Sequence, residues 1–275
     1  MTVERMLPLY EAKMLGAFDH RSADVVKSDT ALKRQNQPRY LSDAEHRDPS
    51  REALPLHWVR EELIPAGLPA WLGGFSDVTS STNERTLISS LLPTAGVGHT
   101  YPLILANDVH LLVAQMNSFV VDFLARQKVA GLHLTYTYLR QIPFLRPDSF
   151  ERPSPWKPEL SLREWVTELA GELTCTSYAM SSFARANNLP REVYPWESEL
   201  RTLRRAELDA CFFHLFGIER PDVEYIMDTF PIVQRKDEAR FGTYRTKELI
   251  LEVYDAMQEA IDTGVPYEGL HLDEV

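Results

Sequence analysis

The sequence predicts an α+β protein: a small strand-containing region of about 145 residues, followed by a mainly helical C-terminal region. Three observations carry this. Short β-branched and aromatic runs recur between turn residues up to about residue 140. Four prolines (Pro147, Pro153, Pro155 and Pro158) then crowd residues 146–159. Beyond them, apolar residues recur at helical rather than alternating spacing.

Taken in order, the first stretch, MTVERMLPLYEAK, lacks the basic-then-apolar layout of a secretory leader, and no apolar run reaches membrane-spanning length. A cytoplasmic location is the expectation. Residues 22–56 are polar, charged and aperiodic, which predicts a long loop. HWVREELI (57–64) predicts a short strand or a turn of helix ending at Pro65. Phe75 to Thr79 and Thr86 to Leu92 read as strands, the second stopped by Pro93. Residues 109–127, dense in apolar helix formers, predict one helix. LHLTYTYL (132–139) alternates and is rich in Thr and Tyr, which predicts a strand.

The proline-rich segment 146–160 then reads as a linker between regions 1–145 and 161–275. Ser161 with Glu164 three residues on is a capping-box signature for a helix carrying Trp165, Leu169 and Leu173. Leu200, Leu203, Leu208, Phe212 and Leu215 share a helical face that closes at Gly217. Leu249, Ile250, Val253, Met257 and Ile261 repeat the arrangement up to Gly264. Cys175 and Cys211 lie in helical stretches without a CxxC or nearby His spacing, so they read as buried thiols.

Net charge is -11, yet its distribution is uneven. Residues 1–150 hold 15 Lys and Arg against 16 Asp and Glu, whereas residues 151–275 hold 14 against 24. Within 85–146, Arg85, Arg126, Lys128, Arg140 and Arg146 face only Asp108 and Asp122. A nucleic-acid surface requires local rather than global positive charge, so this stretch permits one. The devices of catalysis are missing. There is no GxGxxG or GxxxxGK[ST], no HExxH, no GxSxG, and no [DNS]-P-P-[YFW] tetrapeptide of the kind that holds a flipped adenine. No catalytic, cofactor-binding or metal-ligating residue is assigned.

Four blocks, in order, resemble one family: LPLYEAKMLGAFDHR (7–21), WLGGFSDVTSSTNERTLISSLLP (71–93), NSFVVDFLARQKVAGLHLTYTYLRQIPF (117–144) and RRAELDACFFHLFGIERPDVEYIMDTFPIVQRKDEARFGTYRTKELILEVYDAM (204–257). They are similar to the C-terminal target-recognition region of large adenine-specific (N6) DNA methyltransferases, including fused type II restriction–modification enzymes and methylases of phage-defence islands. Ala12 stands where that family usually has glycine, and Ser76 where it has arginine. The resemblance implies duplex DNA as a partner and a catalytic methyltransferase domain or subunit as another. S-adenosylmethionine would then bind that catalytic part, with none in this chain. An alternative within the same implication is an assembly subunit that binds a separate catalytic chain and has little DNA affinity of its own.

Sequence readout needs base-edge contacts, and positioning needs phosphate contacts. Asn83 suits an adenine edge; Arg85 suits a guanine edge or a phosphate, or else an ion pair with Glu84 or Asp77. Arg126 and Lys128 follow a helix end, where they also complement the helix dipole. His133 and Arg140 complete the DNA-binding candidates. Three other features stay open. Asn117-Ser118 interrupts an apolar helix and suits either hydrogen bonds to a neighbouring element or a DNA contact. Lys13, Asp19, His20 and Arg21 suit either structural pairing or an interface to the catalytic domain that the resemblance implies. Residues 228–247 mix basic and aromatic residues, as either a DNA-gripping segment or a loop ordered by ion pairs.

Overall fold

A computed structural model describes residues 4–28, 30 and 36–270. In chain order its elements are β1 (Met6–Tyr10), β2 (Ala23–Lys27), β3 (Asn36–Tyr40), α1 (Asp43–His46), β4 (Trp58–Arg60), β5 (Trp71–Phe75), β6 (Ser89–Pro93), β7 (Gly96–Val97) and β8 (Leu103–Ile104). Helices follow: α2 (Val109–Asn117), α3 (Phe119–Arg126), α4 (Tyr136–Leu139), α5 (Leu162–Thr174), α6 (Ser181–Ala186), α7 (Ser198–Leu215), α8 (Arg220–Asp228), α9 (Pro231–Phe241) and α10 (Arg245–Thr263). The fold class is α+β, with small sheets and a helical C-terminal region. No helix among the described residues is long and apolar enough to cross a membrane.

The chain forms two compact units, each assembled from three separate segments. One contains Met1–Val78, Ile88–Val113 and Ala170–Glu197; the other contains Thr79–Leu87, Ala114–Leu169 and Ser198–Val275. The division is therefore interleaved along the sequence.

In the first unit β1 pairs antiparallel with β4 (Met6 opposite Arg60) and parallel with β7 (Leu9 opposite Gly96). A second sheet has the order β6-β5-β8, all antiparallel. Tyr10, Met14, Leu15, Leu72, Leu92 and Tyr101 pack in one core cluster of this unit. Close backbone approach explains Gly74 in β5: a Cβ there would lie 2.4 Å from the Pro102 carbonyl oxygen. The Tyr101 hydroxyl accepts from the Ser90 amide (2.7 Å) and lies 2.8 Å from the Gly74 carbonyl oxygen, tying the same strands together.

Residues 22–56 are not the predicted loop, although residues 29 and 31–35 lie outside the described part. β2 and β3 pair antiparallel over Ala23–Lys27 and Asn36–Tyr40, and α1 begins with a Ser42–Glu45 capping box. Their anchor is Arg21, fully buried. Its two terminal nitrogens donate to the carbonyl oxygens of Asp48 (2.8 Å), Arg51 (2.8 Å), His46 (2.5 Å) and Thr176 (2.6 Å). Asp19 accepts from the Arg21 amide (3.1 Å), and its other oxygen lies 3.2 Å from His46 Nε2. The His46 ring stacks on Trp196 at 3.8 Å. Asp19 and Arg21 thus do structural work, because one guanidinium collects carbonyl groups that would otherwise be buried without donors.

In the second unit, α7 packs on α10, and α8 and α9 also contact α10. Gly217, Gly242 and Gly264 end helices with φ of 67°, 83° and 72°, the left-handed turn that the sequence marked at two of them. The capping box at α5 is present: Ser161 N and Oγ both donate to Glu164 at 2.7 Å, and Glu164 N returns a bond to Ser161 Oγ. Residues 146–160 are folded rather than a linker. Phe150 and Trp156 are buried, Trp156 meets Trp165 edge-on at 5.2 Å, and the Tyr267 amide donates to the Trp156 carbonyl at 2.7 Å. Cys175 and Cys211 are free and buried, as expected; burial pushes the Cys175 thiol up to about 12.

Candidate nucleic-acid interface

The predicted 109–127 helix is two helices, α2 and α3, because Ser118 caps the second. Its Oγ donates to the Gln115 carbonyl (2.7 Å) and accepts from the Val121 amide, while the Phe119 amide donates to Asp209 (2.7 Å). This breaks the run at Asn117-Ser118, both buried, and turns α3 so that Asp122 points inward. The polar pair therefore bonds neighbouring groups, and the Asn117 carbonyl accepts from Arg85.

Asp122 is fully buried in an otherwise apolar helix face, so its carboxylate must find donors. It finds them in the 79–87 segment. The amides of Thr86 (3.0 Å) and Leu87 (3.3 Å) donate to it, as does Arg85 Nε at 2.5 Å. Arg126, one helical turn on, lies 3.6 Å away and sends its Nη2 to the carbonyls of Asn83 and Glu84, both at 2.7 Å. Arg126 also donates to Thr229 and lies over the Phe230 ring at 3.9 Å, while Arg85 lies over Phe119 at 4.1 Å. Burial lowers the Arg126 pKa and Asp122 beside it acts the other way; a guanidinium remains charged under such shifts.

The segment also closes on itself. Thr79 Oγ1 donates to the Thr86 carbonyl (2.6 Å), Thr86 Oγ1 to the Ser80 carbonyl (3.0 Å), and the Asn83 amide to Ser80 (3.1 Å). Asn83 is left exposed at the tip of a loop fixed from below. The Thr79 amide donates to the Leu132 carbonyl at 3.0 Å, which places the start of the 132–139 segment beside this loop.

That segment is not a strand. Thr135 precedes the short helix α4, with Leu134 and Leu139 buried and His133, Thr135, Tyr136 and Thr137 exposed. The tyrosines therefore do not share a core face with Leu134. The six candidates divide accordingly. Arg85 and Arg126 are inward supports, with side chains 19% and 10% exposed, and Arg85 pairs with Asp122 rather than Glu84 or Asp77. Asn83, Lys128, His133 and Arg140 are exposed. Sequence reasoning missed Asp122 as the organiser. Its signal was a lone acid inside FVVDFLAR, four residues before an arginine.

Asp209 adds a second buried carboxyl. Burial pushes its pKa up to about 7, while Arg85 nearby and the Phe119 amide pull the other way.

No protein-family model, curated protein or solved structure matches this chain. Residues distant in sequence meet in this cluster: Arg85, Asp122 with Arg126, and Asp209 with Phe230. Among the described residues no group of three or more His, Cys, Asp or Glu is placed to hold a metal ion. A cleft of about 480 Å³ in the first unit is lined by Leu68, Trp71, Leu72, Ile104, Leu105 and Val109, with Asn107 the polar side chain.

Proposed function

We propose that this chain recognises a duplex DNA target as part of an adenine-specific DNA methyltransferase or restriction–modification system, with methyl transfer performed by a separate catalytic domain or subunit that holds S-adenosylmethionine. The observation that carries the reading is the braced 79–87 loop. A buried carboxylate and a half-buried guanidinium hold its backbone, so Asn83 is presented on a braced support beside the segment bearing His133. A preorganised tip limits the ordering cost when a side chain meets a base edge. Lys128 and Arg140 supply exposed positive charge for backbone positioning.

Fluorescence anisotropy with labelled duplexes at low and physiological salt tests this. Weak binding that falls steeply with salt is expected, and Asn83→Ala is expected to weaken binding without altering thermal stability. Absence of affinity for every duplex at low salt overturns the reading. Stoichiometric capture by a catalytic methylase chain with no intrinsic DNA affinity supports assembly instead.

A further inference from the structure

The exposed cations of α9 have no role in the fold described so far. The sequence left residues 228–247 open between a gripping segment and an ion-paired loop; most of it is helix α9, capped by Gly242 at φ 83°. Lys236 and Arg240 are four residues apart and so lie one above the other on one helix face. The direction of that face is fixed by a contact: Lys236 Nζ pairs with the carboxylate of Glu84, the residue between Asn83 and Arg85. Both partners are well exposed, at 62% and 42% of their side chains. The α9 acids point elsewhere, since Asp237 accepts from the Thr246 amide (2.6 Å) and Glu238 from Gln234 (2.8 Å). Arg240 is steadied over the Phe241 ring at 4.8 Å, whose centroid also lies 4.7 Å from Arg245. Arg235 is exposed on the same helix.

We propose that the α9 face bearing Lys236 and Arg240 binds the phosphate backbone of the duplex whose bases the 79–87 loop reads. The inference rests on the proposed function. Glu84 holds Lys236 in place when no nucleic acid is present, and a phosphate oxygen takes over the ammonium on binding. The exchange swaps one anion for another without uncovering a buried charge. It also gives the two partners of one ion pair opposite effects: Lys236 adds attraction for DNA, and Glu84 competes with it.

The test is duplex anisotropy across a salt series with the full chain and four variants. Lys236→Gln with Arg240→Gln is expected to flatten the log affinity against log salt slope by about 2, since each lost phosphate contact removes roughly 0.9. Arg240→Gln alone, which leaves the Glu84 pair intact, is expected to flatten it by about 1. Glu84→Gln is expected to tighten binding, whereas a purely structural ion pair makes the Lys236 and Glu84 variants weaken it together. Arg185→Gln with Arg220→Gln, a charge-matched control elsewhere on the surface, is expected to leave the slope unchanged. Thermal unfolding of each variant separates lost contacts from lost folding. Wild-type binding with an unaltered slope in the α9 variants overturns this inference alone; no wild-type binding overturns it together with the proposed function.

Discussion

Replacing Asp122 by alanine removes the one carboxylate that serves the amides of Thr86 and Leu87, the Arg85 guanidinium at 2.5 Å and Arg126 at 3.6 Å. Each buried donor left without an acceptor costs about 1–3 kcal/mol, and breaking a buried ion pair from one side costs about 3–5 kcal/mol. These losses overlap, because the orphaned groups relax together and Arg85, 19% exposed, recovers some hydration. The expected loss is about 3–5 kcal/mol, a fall in Tm of roughly 10 °C. Asp122→Asn keeps one acceptor oxygen and loses the charge, so it should fall between alanine and wild type. The double variant Arg85→Met with Asp122→Leu should be less destabilised than the two single changes summed, by about 1–3 kcal/mol. Urea unfolding followed by tryptophan fluorescence reads the global effect through Trp156, fully buried in the same unit. Hydrogen exchange at the Thr86 and Leu87 amides reads the local one. An Asp122→Ala variant within 1 kcal/mol of wild type, with those amides still protected, would refute the claim that this carboxylate organises the loop.

Asp209 makes stability depend on pH. With its folded pKa raised to about 7, the native state keeps a proton that the unfolded chain releases near pH 4. Stability is therefore expected to fall as pH rises from about 4 to about 7, at no more than about 1.4 kcal/mol per pH unit, and then to level off. Asp209→Asn should flatten that dependence in urea midpoints measured across the range. Arg21→Lys should cost at least about 2 kcal/mol by thermal unfolding, since one ammonium cannot reach four carbonyl oxygens arranged for a planar fork. Gly74→Ala should cost about 1–3 kcal/mol, because its Cβ meets the Pro102 carbonyl oxygen, which cannot swing aside, and also the buried Tyr101 ring. A Gly74→Ala midpoint equal to wild type would show that β5 and the residue 102 segment shift apart freely.

The α+β class and the long helices were legible because their signals are local. Caps at Ser161, Gly217 and Gly264, and the apolar faces of α7 and α10, need no knowledge of partners. The failures share a cause in long-range burial. Residues 146–160 read as a linker from their prolines, but Phe150 and Trp156 are buried, and Trp156 lies against the ring of His214, distant in sequence. The Thr-Tyr alternation of 132–139 suggested a strand, whereas the buried positions Leu134 and Leu139 suit a turn entering a short helix. The candidate interface was half legible. Asn83 is exposed, as a contact residue must be, but whether an arginine faces solvent or Asp122 depends on a helix break at Ser118, and that break was hidden inside an apolar run.

The interleaving of the two units bears on how the chain is made. A ribosome releases residues 1–113 long before Ala170–Glu197 emerge, yet the first unit includes that late segment, and the Thr176 carbonyl is one of the acceptors that Arg21 awaits. The second unit begins with Thr79–Leu87 and finishes only with the last helices. Each unit includes a segment that is synthesised late, so neither can be completed by an early fragment of the chain. Cutting the gene near residue 145, where composition suggests a boundary, would leave both halves without segments that complete their cores.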